Sequence, residues 1–444
     1  MANRRWGLVF GMGALAAGCF DPPTGNDSSN SDTNATTAPP PGTTSEDPPE
    51  TTAATSASSQ GQTSAVDSTG GTTAAVDDAA TTESPVQFDL GAIPDSPEFC
   101  TEGDGEVQFS YIWIANSSQD TISKINTETL VEEGRYTTRP NPGGSPSRTS
   151  VSLTGNVAVA NRSGGLTKFY ANLDDCSGGN TSSGSGDIKA WGDEDCMAWH
   201  TPMAYISQRP VAWTQGTFDK AACAIVDEKV WTAGSVDGNS VEVVLVDGDT
   251  GVIEEIIPVP GVNAGYYGIY GAAVDSEGNF WGSQLGGGTL VHVNLQTLDL
   301  QTWPTVAGGY GMTVDQDGYV WTCSYQAGRF DPATETWQQA NVGGNGGCMP
   351  DGGDILWMAN NPLVGINRNT LAVEYSIPLP EYVHGVSVDY EGYVWGVSMT
   401  NSAYRIDPAT GTFDTVGGLI GPYTYSDMTG FALSSAGTID PPQG

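Results

Sequence analysis

The 444-residue chain carries 52 Asp and Glu against 15 Lys and Arg, a formal charge of −37 with only 15% charged side chains. Such an acid excess repels nucleic acid and anionic lipid headgroups, so binding to a phosphate backbone is excluded. Abundant Gly (59) and Trp (12) beside scarce Lys argue against a helical bundle and for a turn-rich β protein.

Residues 1–18 begin with Arg4-Arg5 and continue in the apolar run Trp6–Ala17. A charged start before an apolar segment too short to span a bilayer reads as a secretory signal. Its end, Leu15-Ala16-Ala17-Gly18-Cys19, resembles the lipobox of bacterial lipoproteins, with Leu one place further from the Cys than is usual. The resemblance implies that Cys19 is acylated and anchors the chain to a membrane through its lipid. Phe20, rather than Asp, after that Cys suits sorting to an outer membrane or the cell surface. The expected location is therefore extracytoplasmic and lipid-anchored. Residues 19–95 are rich in Ser, Thr, Pro, Ala, Gly and Asp, with 12 acidic side chains and no basic one. Without apolar groups to offset chain entropy, they are expected to stay disordered, a tether spanning roughly 50 Å. Residues 96–440 then hold 40 acidic and 13 basic side chains, net −27.

A pattern recurs through that part: an apolar strand, a turn around Asp-x-x-Gly, then an apolar strand bearing Trp. It reads GAAVDSEGNFW at 271–281, GMTVDQDGYVW at 311–321 and GVSVDYEGYVW at 385–395. Weaker copies end at Trp113, Trp231 and Trp357, and one places Ala158 where the Trp would stand. Trp-to-Trp steps of 40, 36 and 38 residues, with four short strands in each, predict the blades of a β-propeller. The copy at Tyr111–Asn116 lacks a preceding strand, while Thr429–Ser434 reads as a strand with none following. Joined, they complete a seventh blade and remove an exposed edge. The fold expected over residues 96–440 is an all-β, seven-bladed propeller and a monomeric domain.

Besides Cys19, six cysteines remain, an even number with 15 pairings. Cys176–Cys196, which flank an insertion at about 171–212, and Cys323–Cys348, on neighbouring blades, are the expected bonds. The insertion holds Asp174, Asp175, Asp187, Asp193, Glu194 and Asp195, in no calcium-loop spacing. It reads as a stapled acidic loop, and the adjoining Trp199-His200-Thr201-Pro202 as a lid over one face. Asp247-Gly248-Asp249-Thr250-Gly251 reads as a blade turn, and His200 and His292 as structural.

HGVSVDYEGYVW (384–395) and its relatives resemble the blades of the streptogramin (virginiamycin B) lyase family, over about residues 109–434. That resemblance implies a seven-bladed propeller and, for an active member, opening of a cyclic depsipeptide by elimination. The family uses histidines from two neighbouring last blades, glutamates and magnesium. His384 matches one histidine. The second falls near Gly346 or Gly347, and the glutamate places hold Asn360 and Met399. A lone His supplies a base but nothing to stabilise an enolate.

The place three residues after each Trp-type position holds Asn116, Asn161, Gly234, Gln284, Ser324, Asn360 and Ser398. Tyr270, Tyr310 and His384 each precede a Gly at the start of an inner strand and are expected to edge the same axial mouth. Amides, hydroxyls and aromatic faces around a concave opening suit a glycan, a peptide or a protein partner. The expected function is ligand binding without chemistry. The alternative is a lyase- or lactonase-like enzyme that opens a cyclic ester with His384 as its base. No cofactor is read from the residues. Magnesium, implied by the resemblance, and calcium, from the acidic insertion, stay open.

Overall fold

A computed structural model describes residues 110–436, apart from 220, 221, 223 and 345. The signal segment, the tether, Cys19, Cys100 and Cys223 lie outside the described residues.

Among the described residues seven antiparallel sheets form successive blades along the chain, with an eighth, two-stranded sheet inserted in the third. Blade 1 contains β1 (Tyr111–Asn116), β2 (Thr121–Asn126) and β3 (Glu132–Thr137). Blade 2 is β4 (Pro146–Val151), β5 (Val157–Asn161), β6 (Gly165–Phe169) and β7 (Met197–Thr201). In blade 3, β8 (Ser207–Trp213) is followed by a small hairpin, β9 (Thr217–Asp219) and β10 (Ala224–Val226). The same sheet continues with β11 (Lys229–Ser235), β12 (Val241–Asp247) and β13 (Ile253–Pro258). Blade 4 is β14 (Ile269–Val274), β15 (Phe280–Gln284), β16 (Thr289–Val293) and β17 (Leu300–Pro304). Blade 5 is β18 (Gly311–Val314), β19 (Val320–Cys323), β20 (Gln326–Asp331) and β21 (Thr336–Asn341). Blade 6 is β22 (Cys348–Pro350), β23 (Ile355–Met358), β24 (Leu363–Asn367) and β25 (Val373–Ile377). Blade 7 is β26 (Val383–Val388), β27 (Val394–Ser398), β28 (Ala403–Ile406) and β29 (Phe413–Val416). The first strands of successive blades pack side by side around the axis.

The repeated residues explain the blades. In the turn after β14, one oxygen of Asp275 accepts the backbone N–H groups of Glu277 and Asn279, and the other takes the Trp281 indole N–H at 2.8 Å. Asp315–Trp321 and Asp389–Trp395 repeat the arrangement at 2.8 and 2.7 Å. Gly278, Gly318 and Gly392 supply the positive φ that closes each turn (76°, 81° and 84°). The indole itself is a wedge between blades. Trp321 packs against Leu356, Met358 and Ile366 of blade 6, and Trp395 against Ile112, Ile114 and Ile125 of blade 1. Burying such a side chain is worth roughly 4–6 kcal/mol in transfer energy. Where Ala158 replaces the Trp, the core is filled by Trp199 and Trp213.

The ring closes through the C-terminus, one step earlier than the strand pattern suggested. Pro422–Met428 lies beside β1, with Tyr423 N–H on the Ala115 carbonyl at 3.0 Å and Trp113 N–H on the Met428 carbonyl at 2.9 Å. Thr429–Ser434 is not the closing strand. Asp427 accepts the N–H groups of Thr429 and Gly430, a capping arrangement that turns the chain into α1 (Phe431–Ala436). Its Leu433 and Ala432 close the far end of the axial channel, leaving a cavity of about 30 Å³ beside Ser150, Ala272 and Met349, room for about one water.

Both expected disulfides are present, Cys176–Cys196 across the acidic loop and Cys323–Cys348 between blades 5 and 6. The expected lid is instead β7, because Trp199 is buried and donates its indole N–H to the Gly248 carbonyl at 2.9 Å. The insertion is thus shorter than 171–212. The Asp247–Gly251 turn lies between β12 and β13 as expected.

Candidate ligand-binding site

The innermost strands of blades 2 to 7 all start at one end of the axis, and a common register decides which side chains meet there. Three residues before the partner of the Trp stand Arg209, Tyr270, Tyr310 and His384, on β8, on β14, just before β18 and on β26. The ladders slip at Tyr270 and at His384, so these residues are bulged. A bulge re-aims a side chain out of the ladder. The glycine that follows is required by packing. Any side chain at Gly385 would collide with the Thr424 carbonyl, and one at Gly311 with the backbone of Gly347.

The three rings expected to share a mouth are neighbours. Tyr270 and Tyr310 lie 5.1 Å apart between centroids, and Tyr310 and His384 4.6 Å. The closing segment adds Tyr423 and Tyr425. The Tyr270 hydroxyl is 3.4 Å from that of Tyr310 and 3.2 Å from that of Tyr423, and the Tyr310 and Tyr423 hydroxyls are hydrogen-bonded. Three arginines complete the cluster. Arg148 donates to the Tyr270 and Tyr310 carbonyls at 2.6 and 2.8 Å, with its guanidinium 3.2 Å from the Tyr425 ring centroid. Arg209 reaches the Tyr270 hydroxyl at 3.3 Å and covers the Tyr270 and Tyr267 rings. Arg162 lies over the Tyr423 ring at 4.3 Å and bonds the Ser145 hydroxyl. Among the described residues none of the three has an ion pair.

This environment controls the titratable groups. His384 is only 4% exposed, with Nδ1 2.8 Å from the Tyr382 hydroxyl and Nε2 buried without a partner. Burial, then the Arg148 and Arg162 guanidiniums, press its pKa down to about 3. Burial would raise the Tyr270 phenol, but Arg209, hydrogen bonds from Tyr423 and Tyr425, and Arg148 outweigh it and hold it below its ordinary value. Burial and then the neighbouring Arg209 lower the proton affinity of Arg162.

The expected ring of uncharged groups lies at the same end, but on second strands and the turns after them, one strand out from the axis. Asn116 is fully buried, bonded to Ser123 and to Ile420 N–H. Asn161 is held by Thr138, and Ser398 by Thr400 and Ser402. Gln284 donates to the Asn263 carbonyl and Asn360 to that of Gly343, both at 2.6 Å. Ser324 lines a groove of about 360 Å³ with Val306, Tyr325 and Asn341. Apart from Ser324, their side-chain polar atoms brace loops and strand ends. The loops of this end also expose Tyr266, Tyr267, Val306, Tyr325, Met399 and Ile420, an apolar and aromatic rim. His200 and His292 lie on β7 and β16, away from the cluster.

Arg148, Arg162, Arg209, Tyr423 and Tyr425 were not singled out by sequence reasoning. Counting back from the Trp231 register would have found Arg209. Tyr423 and Tyr425 were hidden by the misplaced closing strand.

Guanidiniums and phenols do not fit a magnesium or calcium ion, which takes several anionic or carbonyl oxygens. Among the described residues no cluster of three His, Cys, Asp or Glu could hold a metal.

No family model matches the chain, and no curated protein matches it. Solved structures do. A functionally unknown protein from Desulfotomaculum acetoxidans is 13% identical, with a TM-score of 0.54 over 72% of this chain and 100% of that one. A catalytically inactive virginiamycin B lyase from Staphylococcus aureus, with quinupristin, is 14% identical, with a TM-score of 0.45 over 64% of this chain and 87% of that one. At such identity the likeness is one of fold.

Proposed function

We propose that this protein is a lipid-anchored, extracytoplasmic propeller that binds a ligand or protein partner at its axial mouth without transforming it. The observation that carries the reading is the chemistry of the mouth, three guanidiniums around phenols and one buried imidazole. Opening a cyclic ester by elimination needs a base to take a proton and a group that stabilises the enolate. An imidazole whose pKa is about 3 is a weak base, and the arginines beside it repel a divalent cation. The exposed Tyr266, Tyr267 and Tyr325 offer flat amphipathic faces, which suit a peptide or a glycan. The two disulfides support an oxidising compartment, in line with a lipid on Cys19.

The test incubates the purified protein with a streptogramin B, with and without magnesium, followed by chromatography and mass spectrometry. Elimination gives a linear isomer of unchanged mass, and hydrolysis adds one water. Neither product is expected. Ring opening that disappears in His384→Ala would establish the enzyme reading instead. In parallel, glycan and free-ended peptide arrays are expected to yield a ligand whose binding is lost in Tyr267→Ala. Failure of every array contradicts a binding role.

A further inference from the structure

The mouth has a charge that the rest of the molecule does not balance. Acids outnumber bases 40 to 13 over residues 96–440, and elsewhere cations commonly find them. Arg135 pairs with Glu132, Arg368 with Asp315 and Asp317, Arg405 with Asp414, and Lys229 with Asp247 and Glu254. Arg148 is accounted for by the carbonyls it caps. Arg162 and Arg209 are not. Arg162 lies over the Tyr423 ring and Arg209 reaches the Tyr270 hydroxyl, and those two hydroxyls lie 3.2 Å apart. The Nε atoms of both, like that of Arg148, and Nε2 of His384 are buried with no partner. Two desolvated like charges side by side repel each other, and an anion between them removes both penalties. The guanidinium fork matches a carboxylate or phosphate edge with two parallel hydrogen bonds.

We propose that the axial mouth is an oxyanion site, in which the carboxylate or phosphate of an otherwise uncharged ligand lies between the guanidiniums of Arg162 and Arg209. The Tyr270 and Tyr423 hydroxyls are further donors, and the exposed ring of Tyr267 takes the ligand's body. A single anionic group is specified because the net negative charge of residues 96–440 repels polyanions. The inference rests on the reading of the mouth as a binding site and names the chemistry it recognises.

The experiment is calorimetry and thermal unfolding of the purified full chain at fixed ionic strength, with benzoate, phenyl phosphate and neutral benzamide. A peptide ending in a free carboxylate is compared with its amide, which separates a chain terminus from a small acid. At least one anion is expected to bind saturably and raise Tm, with its neutral counterpart at least tenfold weaker. Arg162→Gln and Arg209→Gln are expected to lower anion affinity at least tenfold while ligand-free Tm stays or rises. Arg162→Lys should recover part of the affinity, and Arg329→Gln, away from the mouth, should leave it unchanged. Equal binding of acid and amide forms, or anion binding that survives both glutamine variants, overturns the proposal. Should a variant fail to fold, the comparison of acids with neutral counterparts on the unaltered chain still decides. A neutral ligand bound at the mouth, with no response to any anion, would sink the oxyanion site and leave the binding reading standing.

Discussion

His384 gives the sharpest test of the mouth's electrostatics. Its folded pKa of about 3 lies far below the ordinary 6.5 because burial and two guanidiniums oppose its protonation. The unfolded chain takes up that proton near pH 6.5, so the stability His384 contributes is present above pH 6.5 and lost as pH falls toward 3. Each pH unit below 6.5 removes about 1.4 kcal/mol, so lowering pH from 7.5 to 5.0 removes about 2 kcal/mol through this residue alone. His384→Gln abolishes that linkage and leaves the other titrating groups in place. Urea unfolding of both proteins at the two pH values reads the double difference, in which other contributions cancel. The original chain should lose about 2 kcal/mol more than the variant. Identical pH dependence would refute the argument. So would an NMR titration of the three histidines in which His384 titrates with a midpoint near 6.5, because the mouth would then hold a competent base.

Glu228 should behave with the opposite sign. Burial raises its pKa to about 7 against the pull of Lys168, so its contribution is present below pH 4.5 and lost as pH rises through 7. Glu228→Gln should gain up to about 3 kcal/mol relative to the original chain between pH 4.5 and pH 8, read by the same unfolding comparison. Arg368→Met removes the guanidinium 2.6 Å from Asp315, whose side chain is fully buried, and should cost about 3–5 kcal/mol in denaturant unfolding. Adding Asp315→Asn should restore part of that loss, and strict additivity of the two changes would contradict the pairing. Replacing Cys176 and Cys196 together by Ser, which releases a 20-residue span, should cost about 3 kcal/mol. Limited proteolysis should then cut between residues 177 and 195, and unchanged resistance would argue that the acidic loop holds itself.

The blades were legible because their defining residues act locally. An Asp that caps its own turn and receives the indole six residues later leaves a fixed spacing, as at Asp315–Trp321 and Asp389–Trp395. The Tyr270, Tyr310 and His384 rings were placed together for a related reason, since the glycine after each is demanded by close packing of neighbouring strands. The arginines escaped because the axis takes one side chain per blade and imposes no common chemistry. Arg209 occupies the place of a Tyr, and Arg162 follows a second strand rather than starting a first one. Nor does a strand pattern in Phe431–Leu433 reveal that Asp427 will cap it into a helix. The polar residues three places beyond each Trp lie at the same end as those rings, yet hydrogen bonds to loop backbone occupy several of them. Only the three-dimensional partners of Asn116 and Asn161 show that.

The most direct measurement is anomalous diffraction from crystals soaked separately in bromide and in manganese. A bromide peak between the Arg162 and Arg209 guanidiniums, with no manganese at the mouth, is the predicted result. Manganese bound there, or no halide beside either arginine, would contradict a site built to hold a negative group.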